Sequence, residues 1–169
     1  ARLIEDTTGH GHSVRYLEPS YVIIIELDHG NGPWTHPEIP NLPIKMRIPR
    51  LYSGPDCESH VDELDVDGHP EYKDFQPIEG IWMAKRPAGP PSPFTLEPAP
   101  RWMVLLSGKF EVGLGDGRHY QYQGPALRHV EDTNGRGHTC QFLEETSMIV
   151  IELKAGFGPW LSKIYTWPS

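Results

Sequence analysis

The chain has 169 residues, 22% of them charged and 37% apolar, with a formal net charge of −8. That length suits one domain or one domain plus a fragment, with apolar content enough for a core and too much for wholesale disorder. The acidic balance, with no basic stripe to neutralise phosphates, argues against a nucleic-acid partner, and no apolar run approaches the length of a membrane span.

The N-terminal end carries a repeat. Residues 2–34, RLIEDTTGHGHSVRYLEPSYVIIIELDHGNGPW, return without a gap as residues 128–160, RHVEDTNGRGHTCQFLEETSMIVIELKAGFGPW, with about half of the positions identical. Only the later copy has a long segment before it, so the chain reads as a partial repeat at 1–34, a proline-spaced linker at 35–47 and a complete domain at 48–169. The YVIII run in the first copy predicts a strand over 21–27 that must pair with some sheet, in this chain or in a second one, which makes a homodimer the expected assembly. No basic region followed by an apolar stretch opens the chain, so a leader peptide is expected to be absent or already removed. Cys57 and Cys140 are too few for a disulfide framework and are expected as free thiols in a reducing, cytoplasmic setting.

Proline and glycine then punctuate the chain every few residues, which leaves room for strands and not for helices. Residues 58–69, with His60 and His69 among carboxylates, fit no calcium-loop spacing and are expected as a solvated loop. Strands are predicted over 80–85, 102–106, 109–114, 119–123, 128–131, 138–143 and 148–153, and the Asp-Gly of LGDGR at 114–118 predicts a hairpin turn. Lys85 and Arg86 read as a charged strand end. At most one short helical turn fits near 159–164, and Trp34 and Trp160 are expected to cap a barrel end. The fold class is therefore all-β, a sandwich or small barrel.

Three stretches carry a family resemblance. Glu131-Asp-Thr-Asn-Gly-Arg-Gly-His138, Leu51-Tyr-Ser-Gly-Pro-Asp-Cys-Glu-Ser-His60 and PAPRWMVLLSGKFEV at 98–112 together resemble the cupin superfamily, most of all its small single-domain members with an EDTTGxGH turn. The resemblance covers about residues 48–155, with 2–27 as a partial second copy, and implies a cupin-like β-barrel with an N-terminal half-repeat, a ligand cavity at its mouth and, in many members, a divalent metal there.

The first cupin signature departs from the family pattern. Its spacing falls on Gly89, Thr95, Glu97, Arg101 and Gly108, so the glycines match while the two His and the Glu positions do not. Nearer relatives hold a His where Glu97 stands and a Gln where Met103 stands. The second signature keeps Gly135 and His138, and its later Asn position is Phe142. Residues two apart on a strand share a face, which puts Glu97, Arg101 and Met103 on one face and His138, Cys140 and Phe142 on another, both toward the implied cavity.

Glu97 and His138 are the candidate acid–base pair, able to move a proton in lyase, isomerase or cyclase chemistry without a redox metal. Arg101 is the candidate for an anionic group of a small-molecule substrate, and Met103, Cys140, Phe142 and Trp82 for its apolar part. No cofactor is expected. The alternative is a metal-dependent cupin such as a dioxygenase, its divalent ion held by Glu97, His138 and Cys140, against which the fixed charge of Arg101 counts. A third reading is a non-catalytic binding or structural protein, with Glu97 merely paired to Arg101. The Gly-x-Gly-His turn calls for positive backbone angles at its glycines, with Asp132 expected to bond the turn amides. His12, in the copy lacking a first signature, is expected to support its turn only.

Overall fold

A computed structural model describes residues 47–69 and 76–154. The N-terminal repeat, the predicted strand at 21–27, the linker at 35–46, Trp34, Trp160 and the helical turn at 159–164 lie outside the described residues.

The described chain is nine strands and one short 3-10 turn: β1 Arg47–Ser53, β2 Ser59–Asp65, the turn Val66–Gly68, β3 Ile78–Arg86, β4 Arg101–Ser107, β5 Lys109–Gly113, β6 His119–Gln123, β7 Ala126–Glu131, β8 Thr139–Phe142 and β9 Thr146–Leu153. They form a six-stranded sheet in the order β2-β1-β7-β4-β9-β3 and a three-stranded sheet in the order β6-β5-β8. The seven strands predicted within this region all occur. The Asp-Gly turn closes the β5–β6 hairpin, with Gly117 at φ +85° and the Leu114 N–H donating to the Arg118 carbonyl at 2.9 Å.

Two strands correct the sequence reading. The linker boundary at 47 is overrun by β1, which starts at Arg47 and holds Pro49 before the stretch paired in parallel with β7, whose register begins at Arg50↔His129. The acidic segment expected as a loop is in part β2, an edge strand paired with β1 from Ser53↔Ser59 to Arg47↔Asp65. Carboxylates suit an edge that faces water, and only Ser59 and Leu64 of this strand are buried.

Alternation along the strands sorts the core. Leu51, Leu105, Phe110, Val112, Leu114 and Val130 make the main cluster between the two sheets, with Met103, Tyr122, Cys140 and Phe142 packed against it. A smaller cluster of Ile48, Leu64 and Val66 takes Trp102 and Leu127, which have the opposite parity to Met103 and Arg128 and so lie on the other face of the large sheet.

Candidate functional site: the face between the sheets

Strand register builds one row across the large sheet. Trp82 on β3 stands opposite Val150 on β9, Val150 opposite Met103 on β4, and Met103 opposite Arg128 on β7. The neighbouring row runs Glu152, Arg101, Val130. Because β4 alternates, Arg101, Met103 and Leu105 point the same way as Arg128 and Val130. Across from them, β5 pairs with β8 at Val112↔Cys140 and Phe110↔Phe142, all four in the main cluster. Arg101, Met103, Cys140 and Phe142 are thus brought to one interior, with Trp82, 40% exposed, at the open edge of the row.

His138 enters this interior from a constrained turn. Gly135 and Gly137 have φ of +83° and +81°, the left-handed values the sequence calls for. A Cβ at Gly137 would run into the Thr95 carbonyl oxygen, so glycine is required there for close approach as well. That approach lets His138 and Thr95 exchange backbone hydrogen bonds at 2.9 and 3.0 Å, while the Glu97 N–H donates to the Asp132 carbonyl at 3.2 Å. The segment before β4 is thereby stitched over the start of β8.

The His138 ring is almost wholly buried and its Nδ1 lies 2.6 Å from Asp132 Oδ2. The same carboxylate oxygen accepts from Ser59 Oγ at 3.0 Å. Asp132 therefore serves the imidazole and not the turn amides, which corrects the expectation from the turn motif. Its position supplies the reason: it is fully buried beneath the turn, where β2 brings Ser59 and the returning chain brings His138. An ionised carboxylate only accepts, so it fixes the Nδ1–H tautomer and leaves Nε2, which has no hydrogen-bond partner among the described residues, with its lone pair.

Glu97 is held differently. Its carboxylate lies 3.0 Å from Arg101 Nη1, and Arg101 Nη2 lies 3.2 Å from Glu152. Arg101 also sits 5.7 Å from the centroid of the Trp82 ring. Glu97 and His138 share no hydrogen bond; the Thr95–His138 backbone pair joins their segments, and Asp132 links them through its carbonyl to the Glu97 N–H and its carboxylate to the His138 ring. Burial pushes the Cys140 thiol up to about 11, with the Arg128 charge lowering it and Glu97 raising it. Such a thiol stays protonated at neutral pH, which makes it a poor metal donor. Among the described residues no three His, Cys, Asp or Glu side chains converge as metal donors, and Glu97 is engaged by Arg101.

Arg128 was not singled out by the sequence. Its guanidinium is buried with its centre 4.6 Å from the Tyr122 ring centroid and 5.1 Å from that of Phe110. Burial lowers its pKa, against the opposing pull of Tyr122, Cys140, Asp132 and Glu97. The available signal was alternation: Ala126, Arg128 and Val130 share a face on a strand, and a charge between two apolar residues on an inward face is out of place.

No protein-family model and no curated protein matches the chain. Among the solved structures that resemble the chain are two distant likenesses. The cupin domain of Cnp3 from Schizosaccharomyces pombe is 14% identical with a TM-score of 0.39, over 75% of this chain and 100% of that one. Protein NMB1881 from Neisseria meningitidis is 15% identical with a TM-score of 0.37, over 44% of this chain and 72% of that one. The described residues form an all-β fold of a six-stranded and a three-stranded sheet, and the likeness extends to architecture alone. Among the described residues no helix is long and apolar enough to cross a membrane.

Proposed function

We propose that the face between the sheets is a small-molecule site whose proton-transfer group is His138, positioned by Asp132. The observation that carries this reading is the 2.6 Å contact of His138 Nδ1 with a buried carboxylate, which leaves the opposite nitrogen as a base. In a lyase, isomerase or cyclase step, Nε2 takes a proton from a carbon beside a carbonyl or carboxylate group. The imidazolium so formed keeps its Nδ1–H on Asp132, which stabilises it, and the proton is returned at a neighbouring atom or to a departing hydroxyl. Glu97, held by Arg101, is the second titratable group of the same face and the partner for that return. The reading needs no metal.

A binding protein without catalysis is the second reading, and the Glu97–Arg101 pair favours it, because a carboxylate engaged at 3.0 Å is less free to exchange a proton. Proton exchange separates the two. Small carboxylates with an acidic neighbouring C–H are incubated with the protein in D2O and followed by NMR. The proposal expects deuterium wash-in for at least one of them, and a loss of about 10²–10⁴-fold in H138Q. Exchange unchanged in H138Q overturns the role of His138. Binding without any exchange across the panel favours the binding protein.

A further inference from the structure

We infer that Arg128 is the anion-recognition group of this face and that its ligand is a small monocarboxylate. The inference rests on the reading of the face as a small-molecule site, though not on proton transfer by His138. Four observations lead to it. Arg128 is only 2% exposed, and its Nε has no hydrogen-bond partner. Its contacts are the faces of Tyr122 and Phe110, which stabilise a cation but leave the in-plane N–H edge of the guanidinium unused. Among the described residues no carboxylate forms an ion pair with it, although the charges of Glu97 and Asp132 influence it. Finally, it stands in the row with Met103 and Val150, with Cys140 near enough to feel its charge.

A buried arginine that serves structure alone is ordinarily paired and hydrogen-bonded, because an uncompensated charge in the interior is costly. The other cations near the face are already engaged. Arg101 lies between Glu97 and Glu152, and Lys85 is 2.8 Å from Glu145 on the exposed surface. Among the described residues Arg128 combines burial, interior position and a donor edge with an unpartnered Nε, the arrangement a carboxylate satisfies with two parallel hydrogen bonds. Charge and geometry set the ligand class. One guanidinium carries a single positive charge, and its planar donor edge matches one carboxylate with two parallel hydrogen bonds better than a doubly charged phosphate. Met103 and Phe142, apolar and half-buried in the same cluster, suit an apolar remainder on that carboxylate.

The probe is benzoate, with benzamide as its neutral counterpart and inorganic phosphate as the dianion. Protein labelled with ¹⁵N-arginine reports on the Arg128 Nε–H resonance, which burial shields from exchange. Benzoate is expected to move that resonance along a saturable one-site curve and to raise the melting temperature, while benzamide and phosphate do neither. R128M is expected to stay folded, with an unchanged or raised melting temperature in the absence of ligand, and to lose benzoate affinity by at least about tenfold. R128K, which keeps the charge and loses the fork, is expected to fall between the two. The Arg128 resonance is read without any exchange measurement, so a failure of the proton-transfer reading leaves this result standing. The inference is overturned if R128M binds benzoate as the wild type does, if benzamide matches benzoate, or if none of the three ligands moves the Arg128 resonance. It is also overturned if R128M and R128K are both strongly destabilised without ligand, the mark of a structural arginine.

Discussion

Next to Arg128 on the same strand, His129 faces the other side of the sheet and lies against Trp102, with ring centroids 4.4 Å apart. Burial, assisted by the charges of Arg50 and Arg128, lowers its pKa from 6.5 to about 3. The unfolded chain takes up a proton on this ring that the folded protein refuses. Its contribution to stability is therefore complete above pH 6.5 and is lost as pH falls toward 3, at about 1.4 kcal/mol per pH unit. Glu131, two residues on, acts in the opposite sense. Burial outweighs Arg50 and raises its carboxyl from 4.5 to about 7, so its contribution is complete below pH 4.5 and is lost as pH rises toward 7. The two slopes oppose one another between pH 4.5 and 6.5, and below 4.5 only that of His129 remains. H129Q is expected to lessen the loss of stability below pH 4.5, the remainder coming from carboxylates with lowered pKa values such as Asp56, Glu111 and Asp116, and to uncover a decline between 4.5 and 7. Urea unfolding across that range measures it, and parallel pH profiles for the two proteins would contradict the assignment.

At the level of elements, one arginine fastens the β1–β2 hairpin to the rest of the large sheet. Arg50 on β1 pairs through two nitrogens with Asp62 on β2 and through Nη1, at 3.2 Å, with Glu131 on β7. Breaking a buried pair leaves an uncompensated charge, so R50M should cost about 3–5 kcal/mol in urea unfolding, with amide exchange protection lost first from β1 and β2. A loss below about 1 kcal/mol would reduce the contact to a surface ion pair. These two strands are also the ones the sequence concealed. Pro49 reads as punctuation until the β7 partner is seen to begin one residue later, and the SHVDELD run of β2 lacks an apolar face because it is an edge. The strands that were legible are those with β-branched or aromatic residues between clear turn signals, such as 119–123, found at the limits expected. The 80–85 prediction grew to Ile78–Arg86, since pairing with β9 continues past its apolar middle.

For the molecule as a whole, a period of two carried most of the site. Parity alone puts Arg101 and Met103 on one face of β4 and Cys140 and Phe142 on one face of β8, and Met103, Cys140 and Phe142 pack against the same cluster. What it left hidden depends on contacts across the fold. The reach of Asp132 to His138 spans a six-residue turn, and Ser59 comes from a strand far away in sequence. The inward charge of Arg128 becomes visible only when the facing sheet supplies Tyr122 and Phe110. The account comes down to one interior face that receives a carboxylate ligand, and the methionines give it a built-in control. Met103 lies on that face beside Arg128, whereas Met83 has the opposite parity to Trp82 and is 76% exposed. In protein labelled with ¹³C at the methionine methyl groups, benzoate is expected to shift the Met103 signal and to show intermolecular NOEs to it, with Met83 unchanged. Contacts to Met83 with none to Met103 would place the ligand elsewhere and contradict the account.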